Sequence, residues 1–112
     1  MLEELNMLSN PKSRVAEAVK TIRTNLEFSL VNGEDKKIML TSTSPGEGKS
    51  FISAALAQSY ALAGKKVLII DCDLRRGRQY EIFGVSNSKG LSNILISDLS
   101  NRWLAFQVWY RV

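Results

Sequence analysis

The chain has 112 residues, 45% of them hydrophobic and 23% charged, which suits one small globular domain with a modest core and argues against disorder. A formal net charge of +4 and a pI near 9.4 are compatible with nucleic acid, but a nucleoside-triphosphate site or an acidic partner explains so mild an excess equally well. A single cysteine, Cys72, and the absence of histidine exclude an internal disulfide and a Cys/His metal site, and fit a reducing cytoplasm.

Residues 1–10 read as a flexible polar leader, with Glu3 and Glu4 where a signal peptide would be basic and apolar. No apolar run approaches the roughly 20 residues that span a bilayer, so a soluble chain is expected. Asn10-Pro11 predicts an N-cap followed by proline at the first helical position. Val15, Ala18, Val19, Ile22, Leu26 and Leu30 then recur at helical spacing, which predicts an amphipathic helix ending before Asn32-Gly33.

Lys37 to Ser42 is a β-type run whose consecutive Ile38, Met39 and Leu40 predict burial on both faces. Thr43-Ser44-Pro45-Gly46-Glu47-Gly48-Lys49-Ser50 follows, and then a helical run from Phe51 to Ala63 that is apolar nearly all round. Strand, glycine-containing loop ending Gly-Lys-Ser, and helix make a phosphate-binding loop. Gly46 and Gly48 allow backbone N–H groups to turn onto phosphate oxygens, and the helix starting near Lys49 adds its unpaired N–H groups. Lys49 is placed to reach the β/γ-phosphates and the Ser50 hydroxyl suits Mg²⁺. Thr43 stands where the general pattern has glycine; a plain strand–helix turn is the bland alternative.

Gly64 closes the helix, and Val67-Leu68-Ile69-Ile70 predicts a second buried strand, giving a right-handed βαβ unit with parallel strands. The ligand site of such a unit lies at the carboxyl ends of its strands. Asp71-Cys72-Asp73 closes the second strand at that edge, so two carboxylates at i and i+2 can hold a metal-bound water or accept a proton. Acidic residues also end strands without any such role. Arg75, Arg76 and Arg78 attract phosphate or an acidic partner, or form a solvated basic turn. Short segments follow at 81–85 and 90–95, and Trp103, Phe106, Trp109 and Tyr110 crowd the last ten residues.

The loop Ser44–Ser50, the run Val67–Arg75, the helix text Ile22–Phe28 and the segment from Phe83 to Leu95 together resemble the bacterial tyrosine kinases of capsular and exopolysaccharide synthesis, over about residues 9–96. The resemblance implies a P-loop NTPase-type α/β fold, a parallel sheet with flanking helices, here incomplete. ATP and Mg²⁺ are the implied cofactors. Ser44, Pro45, Gly46, Glu47, Gly48, Lys49, Ser50 and Phe51 would cradle the nucleotide; Lys49, Asp71 and Asp73 would be catalytic; Ser50, Asp71 and Asp73 would serve the metal. Glu17, Lys20 and Arg23 would fall on a helix that contacts a neighbouring subunit in a ring-shaped oligomer.

Lys20 stands in place of an arginine of that helix, Phe51 in place of Thr or Ser, and Gly77 in place of a proline. The family's later acidic strand and tyrosine-rich tail are not seen, and residues 97–112 do not resemble it, so truncation is the expectation and Tyr110 is not assigned as a phosphorylation site. The implied partners are a membrane adaptor of polysaccharide co-polymerase type and protein tyrosine substrates, with no nucleic acid; the implied location is cytoplasmic, recruited peripherally to the membrane's inner face. A deviant-Walker ATPase of the partitioning and division-site type competes, but its signature lysine would stand where this chain has Ser44. A nucleotide-binding fragment without catalysis is the third reading.

Overall fold

A computed structural model of the chain describes residues 6, 10, 12–30 and 36–96. Four helices order the described residues: α1 (Arg14–Ser29), α2 (Lys49–Leu62), α3 (Gln79–Phe83) and α4 (Leu91–Ile96).

Helix α1 begins three residues later than Asn10-Pro11 predicted. Ser13 is its N-cap, and the Ser13 hydroxyl accepts the Ala16 N–H at 3.3 Å. That bond satisfies one of the donors left open in a first turn, which is why the cap sits there. Asn10 instead makes a turn, accepting the Lys12 N–H on Oδ1 and the Ser13 N–H on its carbonyl, each at 3.0 Å. Pro11 and Asn32-Gly33 lie outside the described residues, as do the leader apart from Asn6 and Asn10 and the aromatic segment after residue 96. Of the predicted apolar stripe only Val19 is buried; Val15 and Ile22 stay partly open and Phe28 is 79% exposed.

Helix α2 is the centre of the packing. Ala54, Ala55, Leu56, Gln58, Ser59 and Ala61 are buried, so it is covered on more than one side, as its all-round apolar sequence predicts. Ala54 and Ala55 join Val19 and Ile82 in the core, with Ala16, Phe51 and Phe83 packed against it. Alanines at the crossing let α1 and α3 approach α2 closely. Gly64 ends the helix at φ +81. The Lys65 N–H reaches the Tyr60 carbonyl at 3.1 Å and the Gly64 N–H reaches Ala61 at 2.9 Å, a Schellman pair that only a left-handed residue closes without strain.

Neither predicted strand is paired in a sheet among the described residues, and no backbone hydrogen bond joins 36–42 to 65–73. Exposure still alternates along the second run: Val67 and Ile69 are half-buried, while Leu68 is 53% and Ile70 54% exposed. In the first run Leu40 is half-buried and Met39 is 87% exposed. Such alternation belongs to a chain with one side covered and the other open. The predicted burial on both faces is not realised among the described residues: one side is at most half-buried and the other is open. A parallel sheet needs cover on both faces, and the described helices cover one side only.

Candidate nucleotide site

The loop 43–48 is shaped by its own side chains. Thr43 donates its N–H to Glu47 Oε2 at 3.1 Å and its hydroxyl to Glu47 Oε1 at 3.2 Å. This bidentate clip gives Thr43 a role in the position where glycine was expected. The Ser44 backbone N–H above all, with the Thr43 hydroxyl and N–H, holds the Glu47 carboxyl below its ordinary value. Gly46 and Gly48 lie at φ +77 and +87, and a Cβ at either would meet nothing within 4 Å. Glycine is required there by the left-handed backbone, not by crowding. Residues 43–49 are all exposed.

Gly48 is the N-cap of α2 and Lys49 its first residue. The first N–H groups of that helix have no acceptor within it, so they and the dipole favour an anion. The exposed Lys49 ammonium donates to Ser42 Oγ at 2.7 Å, and Ser42 Oγ donates to the Ser44 carbonyl at 2.9 Å. Ser42 was not singled out from sequence; a hydroxyl on the last strand residue before such a loop was the available signal. Phe51 packs against the core, so the position where the resemblance expects a hydroxyl anchors α2 instead.

The acidic loop is a second self-bonded turn. Asp71 Oδ1 accepts the Asp73 N–H at 3.0 Å, and its Oδ2 accepts the Arg78 and Gln79 N–H groups at 2.9 and 3.2 Å. Asp71 therefore supplies the acceptors for the start of α3. Asp73 Oδ1 accepts the N–H groups of Arg76 at 2.9 Å and Arg75 at 3.2 Å. The Arg76 N–H chiefly, then that of Arg75, with the Lys49 charge adding, holds the Asp73 carboxyl below its ordinary value. Gly77 seals the turn, for a Cβ there would lie 2.8 Å from Asp71 Oδ2 and 3.0 Å from the Asp73 carbonyl. Arg75, Arg76 and Arg78 are exposed around it.

The two loops are joined directly. Gln79 is buried and its Nε2 donates to the Ser50 carbonyl at 3.0 Å. Among the described residues no three acidic or sulfur side chains converge as a metal cage. The donor set that is present, a serine hydroxyl and one or two carboxylates beside a phosphate cradle, fits Mg²⁺, which keeps waters and takes phosphate oxygens. The open cradle and the exposed lysine likewise fit a nucleoside triphosphate.

Residues 38–89, which hold both loops, match the CobQ/CobB/MinD/ParA nucleotide binding domain. The chain is 45% identical to the tyrosine-protein kinase YwqD of Bacillus subtilis over 83% of its own length. It is 42% identical to the putative tyrosine-protein kinase CapB of Staphylococcus aureus over 86% of its length, and 40% identical to the tyrosine-protein kinase wzc of Salmonella typhimurium over 82%. Over more than four-fifths of its own length the chain is similar to bacterial tyrosine-protein kinases. It spans 39% of YwqD, 42% of CapB and 13% of wzc. No solved structure matches it. These relatives are named as tyrosine-protein kinases, and the matched domain is a nucleotide-binding one.

Glu17, Lys20 and Arg23 stand apart from the two loops. They line an open cleft of about 290 Å³ between α1 and the end of α2, with Ser59, Leu62 and Ala63. Glu17 and Lys20 are exposed. Arg23 turns inward, its Nη1 donating to the Ser59 carbonyl at 2.7 Å and to Ser59 Oγ at 3.1 Å. Its Nε and the nearby Tyr60 hydroxyl are buried without a hydrogen-bond partner, and burial first, then the Glu27 charge, pushes the Tyr60 phenol up. No described helix is long and apolar enough to cross a membrane.

Proposed function

We propose that this chain is the nucleotide-binding part of an ATP-dependent protein-tyrosine kinase acting in capsular or exopolysaccharide synthesis. The observation that supports it best is the pairing of an open, left-handed glycine loop at the start of α2 with an acidic loop tied to the same helix turn. Bound Mg·ATP would supply the phosphoryl group that passes to a tyrosine hydroxyl. The N–H groups from Gly46 to Ser50 would wrap the phosphates, and Lys49 would leave Ser42 to neutralise their charge. The Ser50 hydroxyl, Asp71 and Asp73 would hold the metal, which would neutralise phosphate charge, and an acidic-loop carboxylate would accept the tyrosine proton. Glu17 and Lys20 offer the exposed contacts for a ring of subunits, while Arg23 supports the helix that carries them. A membrane adaptor would bring the otherwise cytoplasmic kinase to the inner face of the membrane.

Binding of a fluorescent ATP analogue tests the reading. Lys49→Met removes one charge-assisted contact, about 1.5–3 kcal/mol, and weakens affinity by about 10- to 150-fold. Equal affinities in the two proteins would refute the role of Lys49. Nucleotide binding without efficient transfer is a second reading, favoured by the open apolar side of Met39, Leu68 and Ile70.

A further inference from the structure

Gln79 has no place in the site as read so far, yet it touches both halves of it. It is 7% exposed. Its backbone N–H donates to Asp71 Oδ2 at 3.2 Å and its side-chain Nε2 donates to the Ser50 carbonyl at 3.0 Å. Its Oε1 is buried with no partner. Burying an amide with one end unsatisfied is unfavourable, so a residue chosen only to fill space here would be apolar.

The Ser50 carbonyl lies in the first turn of α2, where it is placed to accept a bond within the helix. The bond from Gln79 is thus additional, and what it fixes is the orientation of the peptide that carries the Ser50 hydroxyl. At its other end Gln79 is held by the carboxylate that shapes the acidic loop. A rigid path of two hydrogen bonds runs from Asp71 through Gln79 to Ser50. Gln79 begins α3, whose Ile82 lies in the core with Ala54 and Ala55, so the bridge cannot swing away without opening that packing.

We propose that Gln79 is a positioning residue that sets the Ser50 hydroxyl in register with the acidic loop, and so tunes the affinity of the site for Mg²⁺ in the presence of nucleotide. The proposal rests on the nucleotide reading above. It separates two quantities. Phosphate binding by the loop N–H groups and Lys49 does not pass through Gln79, whereas the joint geometry of Ser50 and Asp73 does.

The test uses the full chain and a fluorescent ATP analogue, titrated in EDTA and then across Mg²⁺ concentrations, for wild type, Gln79→Leu and Gln79→Glu. Affinity in EDTA stays within about 2-fold, while the Mg²⁺ concentration for half-maximal effect rises about 10-fold in Gln79→Leu, the loss of one buried hydrogen bond of about 1–1.5 kcal/mol. Gln79→Glu sets a carboxylate against the Ser50 carbonyl at pH 7.5 and shows the same defect; at pH 5 a protonated carboxyl can donate again and recovers part of it. A purely structural glutamine would lower both affinities alike and show no recovery, and that result, or an unchanged Mg²⁺ midpoint, overturns the proposal. If Gln79→Leu does not fold, the recovery in Gln79→Glu decides. If wild type binds no nucleotide, the nucleotide reading has failed. The bridge is then judged by backbone hydrogen exchange over residues 50–54, where Gln79→Leu and Asp71→Asn each accelerate exchange and their combination adds nothing further. Additive or absent effects overturn it.

Discussion

Arg23 is the position where two roles make opposite predictions. The resemblance assigns it to a contact between subunits; its guanidinium is bonded within the chain, to the Ser59 carbonyl at 2.7 Å and the Ser59 hydroxyl at 3.1 Å. Arg23→Ala removes both. They share one nitrogen, so they count as one charge-assisted interaction of about 1.5–3 kcal/mol. Against that, the substitution also removes the buried, unpartnered Nε, whose desolvation costs about 1 kcal/mol or more in the native protein. Ser59 is itself buried and keeps an unmet acceptor in the variant. The net loss is about 1–2 kcal/mol, which lowers the melting temperature by about 5–15 °C in a domain of this size. Arg23→Lys keeps one donor for the Ser59 carbonyl and leaves no buried Nε, so it melts within a few degrees of wild type.

The assay is thermal unfolding followed by circular dichroism, at a concentration where light scattering reports a monomer. A melting temperature unchanged in Arg23→Ala, together with a lost oligomer at higher concentration, would refute the internal strut and return Arg23 to the subunit contact. Loss in Arg23→Lys equal to that in Arg23→Ala would show that the planar fork, not the charge, is what Ser59 requires.

Gly77→Ala places a Cβ 2.8 Å from Asp71 Oδ2 and 3.0 Å from the Asp73 carbonyl. Since one contact is to backbone, it destabilises by about 1–3 kcal/mol, read from the urea midpoint, and disturbs the acidic loop first. Asp73 has its carboxyl held below the ordinary value of 3.8, so the stability it contributes is present above that value and is lost as pH falls through the lower, folded one. An NMR titration of the Arg75 and Arg76 amides follows this, and Asp73→Asn flattens the response. The chain by itself is expected to transfer little phosphate to tyrosine, because Met39, Leu68 and Ile70 leave the strand side of the site uncovered. Robust phosphorylation of a tyrosine-rich peptide, abolished by Asp71→Asn, would overturn that.

What was legible in the sequence is what is decided locally. Gly46, Gly48 and Gly64 were readable because a left-handed residue at a loop or helix end leaves few alternatives, and each has a positive φ. The position of the α1 cap was not, since Asn10 and Ser13 are both good caps and the choice depends on which turn forms. The apolar run 67–70 marked a buried segment, but pairing depends on strands and cover supplied from elsewhere, and only one side is covered here. Gln79 and Arg23 were opaque for a different reason. Their partners, Ser50 and Ser59, lie 29 and 36 residues away in sequence, and no spacing rule links them.

The same limit explains the two aspartates, which look equivalent as text. Asp71 spends Oδ1 on the Asp73 N–H and Oδ2 on two N–H groups at the start of α3. Asp73 spends Oδ1 on Arg75 and Arg76, and its Oδ2 accepts no hydrogen bond among the described residues. A carboxylate oxygen without N–H donors is the one that can accept a proton or turn to a hydrated cation without breaking the fold. The geometry thus divides the pair: Asp71 holds the loop and, through Gln79, the turn of α2, and Asp73 keeps one oxygen open in a carboxylate that feels the Lys49 charge. On the proposed reading, two carboxylates at i and i+2 divide the work, because one group cannot both frame the site and remain free to act in it.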